Sequence, residues 1–138
     1  VGKHMKDIRK GSIINIASDV AIISPDHRIY EADARINYDG VDFNTPAAYS
    51  VSKAGILAFT RYLATYWADK GVRCNALCPG GIYNNQPDEF VKKISNLIPL
   101  GRMADEDEYK ASVVFMVSEA SAYMNGSVVS MDGGRSCW

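Results

Sequence analysis

Three strand-length apolar runs, each parted from the next by a stretch of good helix formers, constrain this chain more than any other feature. The first, Gly11-Ser12-Ile13-Ile14-Asn15-Ile16-Ala17, is almost continuously apolar behind a turn residue. That is the pattern of a strand buried on both faces in a parallel sheet. Thr45-Pro46 then predicts a helix start, a hydroxyl N-cap with proline at the first helical position. From about residue 47 to 69 only Gly55 interrupts, and Gly71 is placed to end the helix. Residues 72–77 read as a second strand closed by Pro79-Gly80-Gly81. Shorter helices are expected over 88–97 and 105–118, the latter opened by Asp105 with Glu108 three positions on. Asn125-Gly126 turns into a last strand, 127–131, closed by Asp132-Gly133-Gly134. Strands alternating with helical connections predict βαβ units and an α/β fold on a parallel sheet. Three strands are few for such a sheet, so the chain is expected to be part of a domain.

Composition narrows the partners. Fifteen basic and 16 acidic side chains leave a net charge of −1, which gives no electrostatic reason to expect nucleic acid or an anionic membrane. No apolar run approaches the ~20 residues of a membrane span. No charged stretch followed by an apolar one opens the chain, so no secretory signal is visible. Cys74, Cys78 and Cys137 are odd in number and lack C-x-x-C spacing. They predict reduced thiols and a cytoplasmic setting rather than a disulfide framework. His4 and His27 lie far from each other and from the cysteines, and no metal site is expected.

The chemistry is concentrated in Tyr49-Ser50-Val51-Ser52-Lys53. Positions i and i+4 share one face of a helix, so phenol and ammonium reach the same region. A tyrosine in water is a poor acid or base at neutral pH, and a nearby positive charge favours the phenolate that general acid–base work requires. Y-x-x-x-K also arises by chance in many helices. Its setting adds weight: Ser18 stands at the end of the first strand, and Pro79-Gly80-Gly81 at the same end of the second. Open α/β sheets bind ligands outside the carboxyl ends of their strands.

In this order, G-S-I-I-N-I-A-S (11–18), Y-S-V-S-K (49–53), R-C-N-A-L-C-P-G-G-I (73–82), P-L-G-R (99–102) and M-D-G-G (131–134) resemble the C-terminal half of a short-chain dehydrogenase/reductase. The resemblance implies the C-terminal portion of a Rossmann-type doubly wound sheet, with about three strands and three to four helices. It implies NAD or NADP as cofactor and a homodimer or homotetramer. Tyr49 would be the proton donor and acceptor. Lys53 would hold the ribose hydroxyls and favour the phenolate, and Ser18 would hydrogen-bond the substrate oxygen. Pro79, Gly80, Gly81 and Ile82 would lie along the nicotinamide, with the Ile82 backbone on its carboxamide.

Departures from the family pattern define further expectations. The glycine-rich turn that cradles the pyrophosphate and the helix asparagine of the catalytic set are not in this sequence. Residues 1–138 are therefore expected to be the catalytic part of one domain, with roughly 100 residues of dinucleotide-binding part lying upstream. The alternative is a non-catalytic fragment or oligomerisation subunit without cofactor binding. An epimerase or dehydratase sharing Y-x-x-x-K ranks lower, because no added substrate domain follows M-D-G-G. Asn84 stands where the family usually has threonine, and it keeps the capacity to bond an amide or phosphate. The connection between Ser18 and Tyr49 is longer than usual for the family. In it, Arg28, Arg35 and Tyr38 are candidates for an anionic or sugar-like substrate, since arginine grips phosphate or carboxylate in a fork. Solvated loop charges or subunit contacts are the competing reading. A weaker resemblance, carried by N-N-Q at 84–86 and this loop, is to oxidoreductases of flagellin modification and nonulosonic-acid pathways. It suggests a sugar phosphate or nucleotide sugar. Tyr62, Tyr66 and Trp67 read as core or interface, Met116 with Val113, Val114 and Val117 as the apolar stripe of the last helix, and Cys78 as a buried thiol.

Overall fold

A computed structural model describes residues 2–30 and 44–138. In chain order the elements are α1 (Gly2–Asp7), β1 (Gly11–Ile16), α2 (Ala47–Tyr66), β2 (Val72–Pro79), α3 (Asp88–Ser95), α4 (Lys110–Val117) and β3 (Val128–Met131). The sheet runs β1-β2-β3 and both pairings are parallel, as the alternation of strands and helices predicts. Register aligns Gly11 with Val72 through Ile16 with Leu77, then Ala76 with Val128 through Pro79 with Met131.

The pleat sends alternate residues to opposite faces, and the core divides accordingly. Ile13 and Cys74 meet Leu63, Ala64 and Trp67 from the α2 side. Ile14 and Leu77 meet Tyr109 and Met116 on the other face, with Val129 and Met131 from β3. Sitting between two strands and two helical layers, β2 is the most buried element: six of its eight residues are buried, which explains its nearly unbroken apolar sequence. A third cluster, Ile29, Ile94, Ile98 and Met103, fastens the loop after β1 to α3.

The basic opening residues form the short helix α1. Other local readings required correction. The loop after Ser18 contains two single 3₁₀ turns, Asp19–Ala21 and His27–Tyr30. The N-cap of α2 is Pro46 and not Thr45, because the Thr45 hydroxyl is engaged with the Tyr30 phenol at 2.9 Å. On α4 only Met116 is buried, whereas Val113, Val114, Phe115 and Val117 are exposed. The Lys110–Val117 segment is apolar nearly all round, so its sequence does not specify which face packs. Gly71 does not end α2, which stops at Tyr66 with Trp67 as its C-cap. It closes the 3₁₀ turn Ala68–Lys70 that follows, at φ 70°, a left-handed conformation that favours glycine.

The turn entering α4, Glu106–Tyr109, is bound by its own acid as the Asp105/Glu108 spacing suggests. Glu108 accepts the Asp105 amide at 2.8 Å and both terminal nitrogens of Arg102 at 2.6 and 2.7 Å. These bonds, the Arg102 fork foremost, hold its carboxyl at about 2, below the ordinary 4.5. A depressed folded-state value stabilises the fold above the ordinary value, and that stability is lost as pH falls from 4.5 towards about 2. The pair is exposed, so the effect is small and weakened by salt. Glu108→Gln should flatten the decline of the thermal midpoint over that acid interval. Parallel curves for the two proteins would contradict this reading.

Candidate active site

Ser18, Tyr49 and Lys53 converge at the carboxyl end of β1. Ser18 stands two residues past the end of β1 and caps the Asp19–Ala21 turn, its Oγ accepting the Val20 amide at 3.4 Å. Tyr49 and Lys53 occupy the first two turns of α2, where the absence of proline after Pro46 lets the helix run unbroken for 20 residues. Lys53 Nζ lies 5.6 Å from the centre of the Tyr49 ring and donates to the Ile16 carbonyl at 3.2 Å. That bond ties the ammonium to the last residue of the strand from which Ser18 emerges. The Tyr49 side of the helix is open, with the residue 43% exposed. A positive charge and an exposed phenol therefore stand at one strand end with the buried hydroxyl of Ser18, residue types that can bind and deprotonate an alcohol.

The glycine turn after β2 supplies the neighbouring wall, in a manner the sequence does not convey. Gly80 donates its amide to Met131 O at 2.9 Å, and a Cβ there would fall 2.8 Å from Asp132 Cα. Its missing side chain is needed by the chain after β3, so at Gly80 the close approach is internal. Gly81 faces the Met103 methyl, and Ile82 forms a parallel bridge with Ala104. Tyr83 and Ala104 amides make the bonds of that bridge, which leaves the Ile82 amide without a hydrogen-bond partner among the described residues. Gln86 locks the turn: its Nε2 donates to Ile82 O at 2.9 Å and its Oε1 accepts the Asn84 amide at 2.7 Å. The fold thus engages the Asn84 main chain and leaves its side chain exposed.

Of the substrate candidates, Arg28 is gripped by Asp26, Nε to Oδ1 at 2.8 Å and Nη2 to Oδ2 at 2.6 Å. This fork is the main cause that holds the Asp26 carboxyl at about 2. Both fork positions of Arg28 are thereby occupied by a neighbour two residues away. Arg35 and Tyr38 lie outside the described residues. Cys78 is fully buried, and burial pushes its thiol up, as do the negative charges of Asp19 and Asp132, which disfavours the thiolate.

Two residues at this edge escaped sequence reasoning. Asp19, 4% exposed, and Arg135, 7% exposed, form an ion pair at 2.8 Å, and Asp19 also accepts the Ser18 hydroxyl at 2.9 Å. They are 116 positions apart, and no periodicity links them. The only signal was an acid placed directly after the strand-end serine.

These groups fit the nicotinamide-ribose end of a dinucleotide. The half-buried Lys53 side chain makes one hydrogen bond among the described residues, to a main-chain carbonyl, beside its contact with the Tyr49 ring, and has N–H groups left that could meet ribose hydroxyls. The unpartnered Ile82 amide is a donor suited to a carboxamide oxygen. Among the described residues no helix is long and apolar enough to cross a membrane.

Comparison with known proteins follows the same lines. Residues 36–136 match the family model described as enoyl-(acyl carrier protein) reductase. The chain is 32% identical to the D-threitol dehydrogenase of Mycolicibacterium smegmatis, over 97% of this chain and 46% of that protein. The crystal structure of a short-chain dehydrogenase from Leptospira borgpetersenii with bound NAD+ superposes with a TM-score of 0.85 at 36% identity, covering 97% of this chain and 48% of that one. A gluconate 5-dehydrogenase from Burkholderia cenocepacia, in complex with NADP and tartrate, gives 0.83 at 25% identity, covering all of this chain and 49% of the other. The chain spans about half the length of the relatives it matches.

Proposed function

Because this chain belongs to the short-chain dehydrogenase/reductase family, we propose that it is the catalytic, C-terminal part of an NAD(P)-dependent oxidoreductase interconverting a secondary alcohol and a ketone. The observation that carries this reading is the Tyr49–Lys53 pair fastened, through the bond to Ile16 O, to the strand end that presents Ser18. Residues Lys53, Pro79, Gly80, Gly81, Ile82 and Asn84 line the nicotinamide-ribose end, and a part of the protein outside this sequence holds the pyrophosphate.

The division of labour follows from the side chains. Ser18 fixes the substrate oxygen at the edge of the sheet. Tyr49 takes the alcohol proton during oxidation and returns it during reduction. Lys53 holds positive charge beside the ring, which favours the phenolate, and it orients the ribose. When bound, the nicotinamide supplies the acceptor or donor of the hydride on the carbinol carbon. Proton to Tyr49 and hydride to the cofactor balance the oxidation of CH–OH to C=O.

A polyhydroxylated substrate is favoured by the chain's likeness to a D-threitol dehydrogenase and a gluconate 5-dehydrogenase. A sugar phosphate or nucleotide sugar is the more specific form of that proposal, with Arg35 and Tyr38 as its contacts and Arg28 joining them on release from the Asp26 fork. The exposed face of α2, with Val51, Phe59, Tyr62 and Tyr66, supports a homodimer or homotetramer. The test uses the full-length polypeptide that carries this sequence. D-threitol, D-gluconate and glucose 6-phosphate are each offered with NAD+ and NADP+, while dinucleotide binding is followed separately by fluorescence. Binding together with cofactor reduction on one of the three is expected. Failure to bind either dinucleotide would overturn the proposal.

A further inference from the structure

We infer that the cleft between the loop after β1, the residues after α3 and the C-terminal turn binds the hydroxyl-bearing part of a polyhydroxylated substrate. Arg135 is its donor, Asp26 its acceptor, and Trp138 the wall on which the carbon chain of the ligand lies. The inference rests on the polyhydroxylated-substrate reading given above and names the side chains that recognise such a molecule. The cleft holds about 360 Å³, and Ile23, Ser24 and Leu97 complete its lining. Small-molecule sites span ~300–1,000 Å³. The cleft adjoins the candidate active edge, because Arg135 is bonded to Asp19, the residue after Ser18.

Arg135 supplies the observation that calls for a ligand. Its side chain is 8% exposed, yet among the described residues its guanidinium makes a single hydrogen bond, from Nη1 to Asp19 Oδ2 at 2.8 Å. A guanidinium carries several more N–H groups, and buried N–H groups are nearly always satisfied. Hydroxyl oxygens in the cleft that Arg135 lines would satisfy them. Asp26 offers the complementary group. Its Oδ1 accepts the Arg28 amide and Nε, whereas among the described residues its Oδ2 accepts Nη2 alone, at 2.6 Å, and keeps a lone pair for a hydroxyl. Trp138 Nε1 donates to Leu97 O at 3.3 Å, which fixes the indole beside the cleft with the residue 77% exposed. The electron-rich face of an indole attracts C–H groups polarised by neighbouring hydroxyls. Charge then selects the class of ligand. Arg135 is matched by Asp19 and Asp26 by Arg28, so no net charge remains here to hold a phosphate or carboxylate. A hydroxyl, donor and acceptor at once, suits a guanidinium and a carboxylate lining one cleft.

The experiment compares D-threitol with 2-butanol as substrates of the full-length polypeptide, two four-carbon alcohols of which the second lacks the further hydroxyls. Arg135→Lys keeps a cation for Asp19 but loses the guanidinium fork, and Trp138→Ala removes the wall. Each should raise KM for D-threitol about tenfold and lower the preference for D-threitol over 2-butanol by the same factor, the worth of one hydrogen bond to a charged group. Should either variant fail to fold by circular dichroism, Ser24→Ala, a change at an exposed hydroxyl, replaces it with an expected loss of about threefold. Unchanged KM and preference in folded variants would overturn the inference and leave the oxidoreductase reading standing. A protein that oxidises 2-butanol and not D-threitol would overturn it too. If neither alcohol is oxidised, saturation-transfer NMR with D-threitol decides. A signal lost in Trp138→Ala would support the cleft although the reaction reading had failed, and no signal, or equal signals in both proteins, would overturn the inference as well.

Discussion

Tyr49→Phe should lower kcat by about 10²–10⁴-fold, the contribution of a positioned general acid–base group, while leaving the thermal midpoint unchanged. The two expectations rest on different observations. Tyr49 lies on the open side of α2, 43% exposed, and its hydroxyl makes no hydrogen bond among the described residues. Removing that oxygen therefore deletes no internal contact, and phenylalanine keeps the ring that lies beside Lys53. The lost function is the proton site alone. Dinucleotide binding by the full-length polypeptide should persist within a few-fold, since Lys53 and the Ile82 amide are untouched. A variant that retains full turnover would place the proton transfer elsewhere. One that loses turnover together with its folding transition would show that the phenol supports the fold.

The largest effect on stability is expected at Met116, which is wholly inaccessible and packs between Leu77 and Tyr109, with Ile14, Met124, Val129 and Met131 around it. Met116→Ala should destabilise the protein by about 2–5 kcal/mol, the sum of lost transfer energy and the cavity that remains. Met116→Leu, which conserves volume, should stay within about 1.5 kcal/mol. Its main-chain oxygen already accepts the hydroxyls of Ser12 and Ser121 at 3.1 and 3.0 Å, so neither substitution disturbs those bonds. Denaturant unfolding measures the difference as a shift in midpoint at constant slope. A loss under about 1 kcal/mol for the alanine variant would mean that the layer between α4 and the sheet is not closely packed.

What the sequence disclosed and what it hid divide along physical lines. A strand covered on both faces is mostly apolar, so β2 was legible from its residues, as was the parallel order from the helices between strands. β1 carries the same apolar pattern but lies at the edge of the described sheet, half-buried with Ile16 exposed, and is not the doubly buried strand expected. Tyr49 and Lys53 were legible because helical spacing is local, and Ser18 because strand ends are where such sheets bind ligands. Contacts between distant segments were not. Asp19 and Arg135 look like two ordinary surface charges until the turn at Gly133-Gly134 brings them together beneath Ser18. Thr45 had the composition of a cap but not its geometry, since the Tyr30 phenol holds its hydroxyl. Gly80 was expected along the nicotinamide, and the sequence did not show that the backbone of Asp132 packs against it. On α4, apolar residues on every side hid the one that packs inward, Met116.

The central claim is that an alcohol proton passes to Tyr49 while its carbinol hydrogen leaves as hydride for a dinucleotide. The direct measurement is turnover of the full-length polypeptide with D-threitol deuterated at its carbinol carbons, or with the correspondingly labelled alcohol found by the screen, followed by mass spectrometry of the reduced cofactor. The account predicts one deuterium in each NADH or NADPH formed, and none formed by Tyr49→Phe beyond its residual rate. Deuterium recovered in water, or alcohol consumed without cofactor reduction, would contradict it.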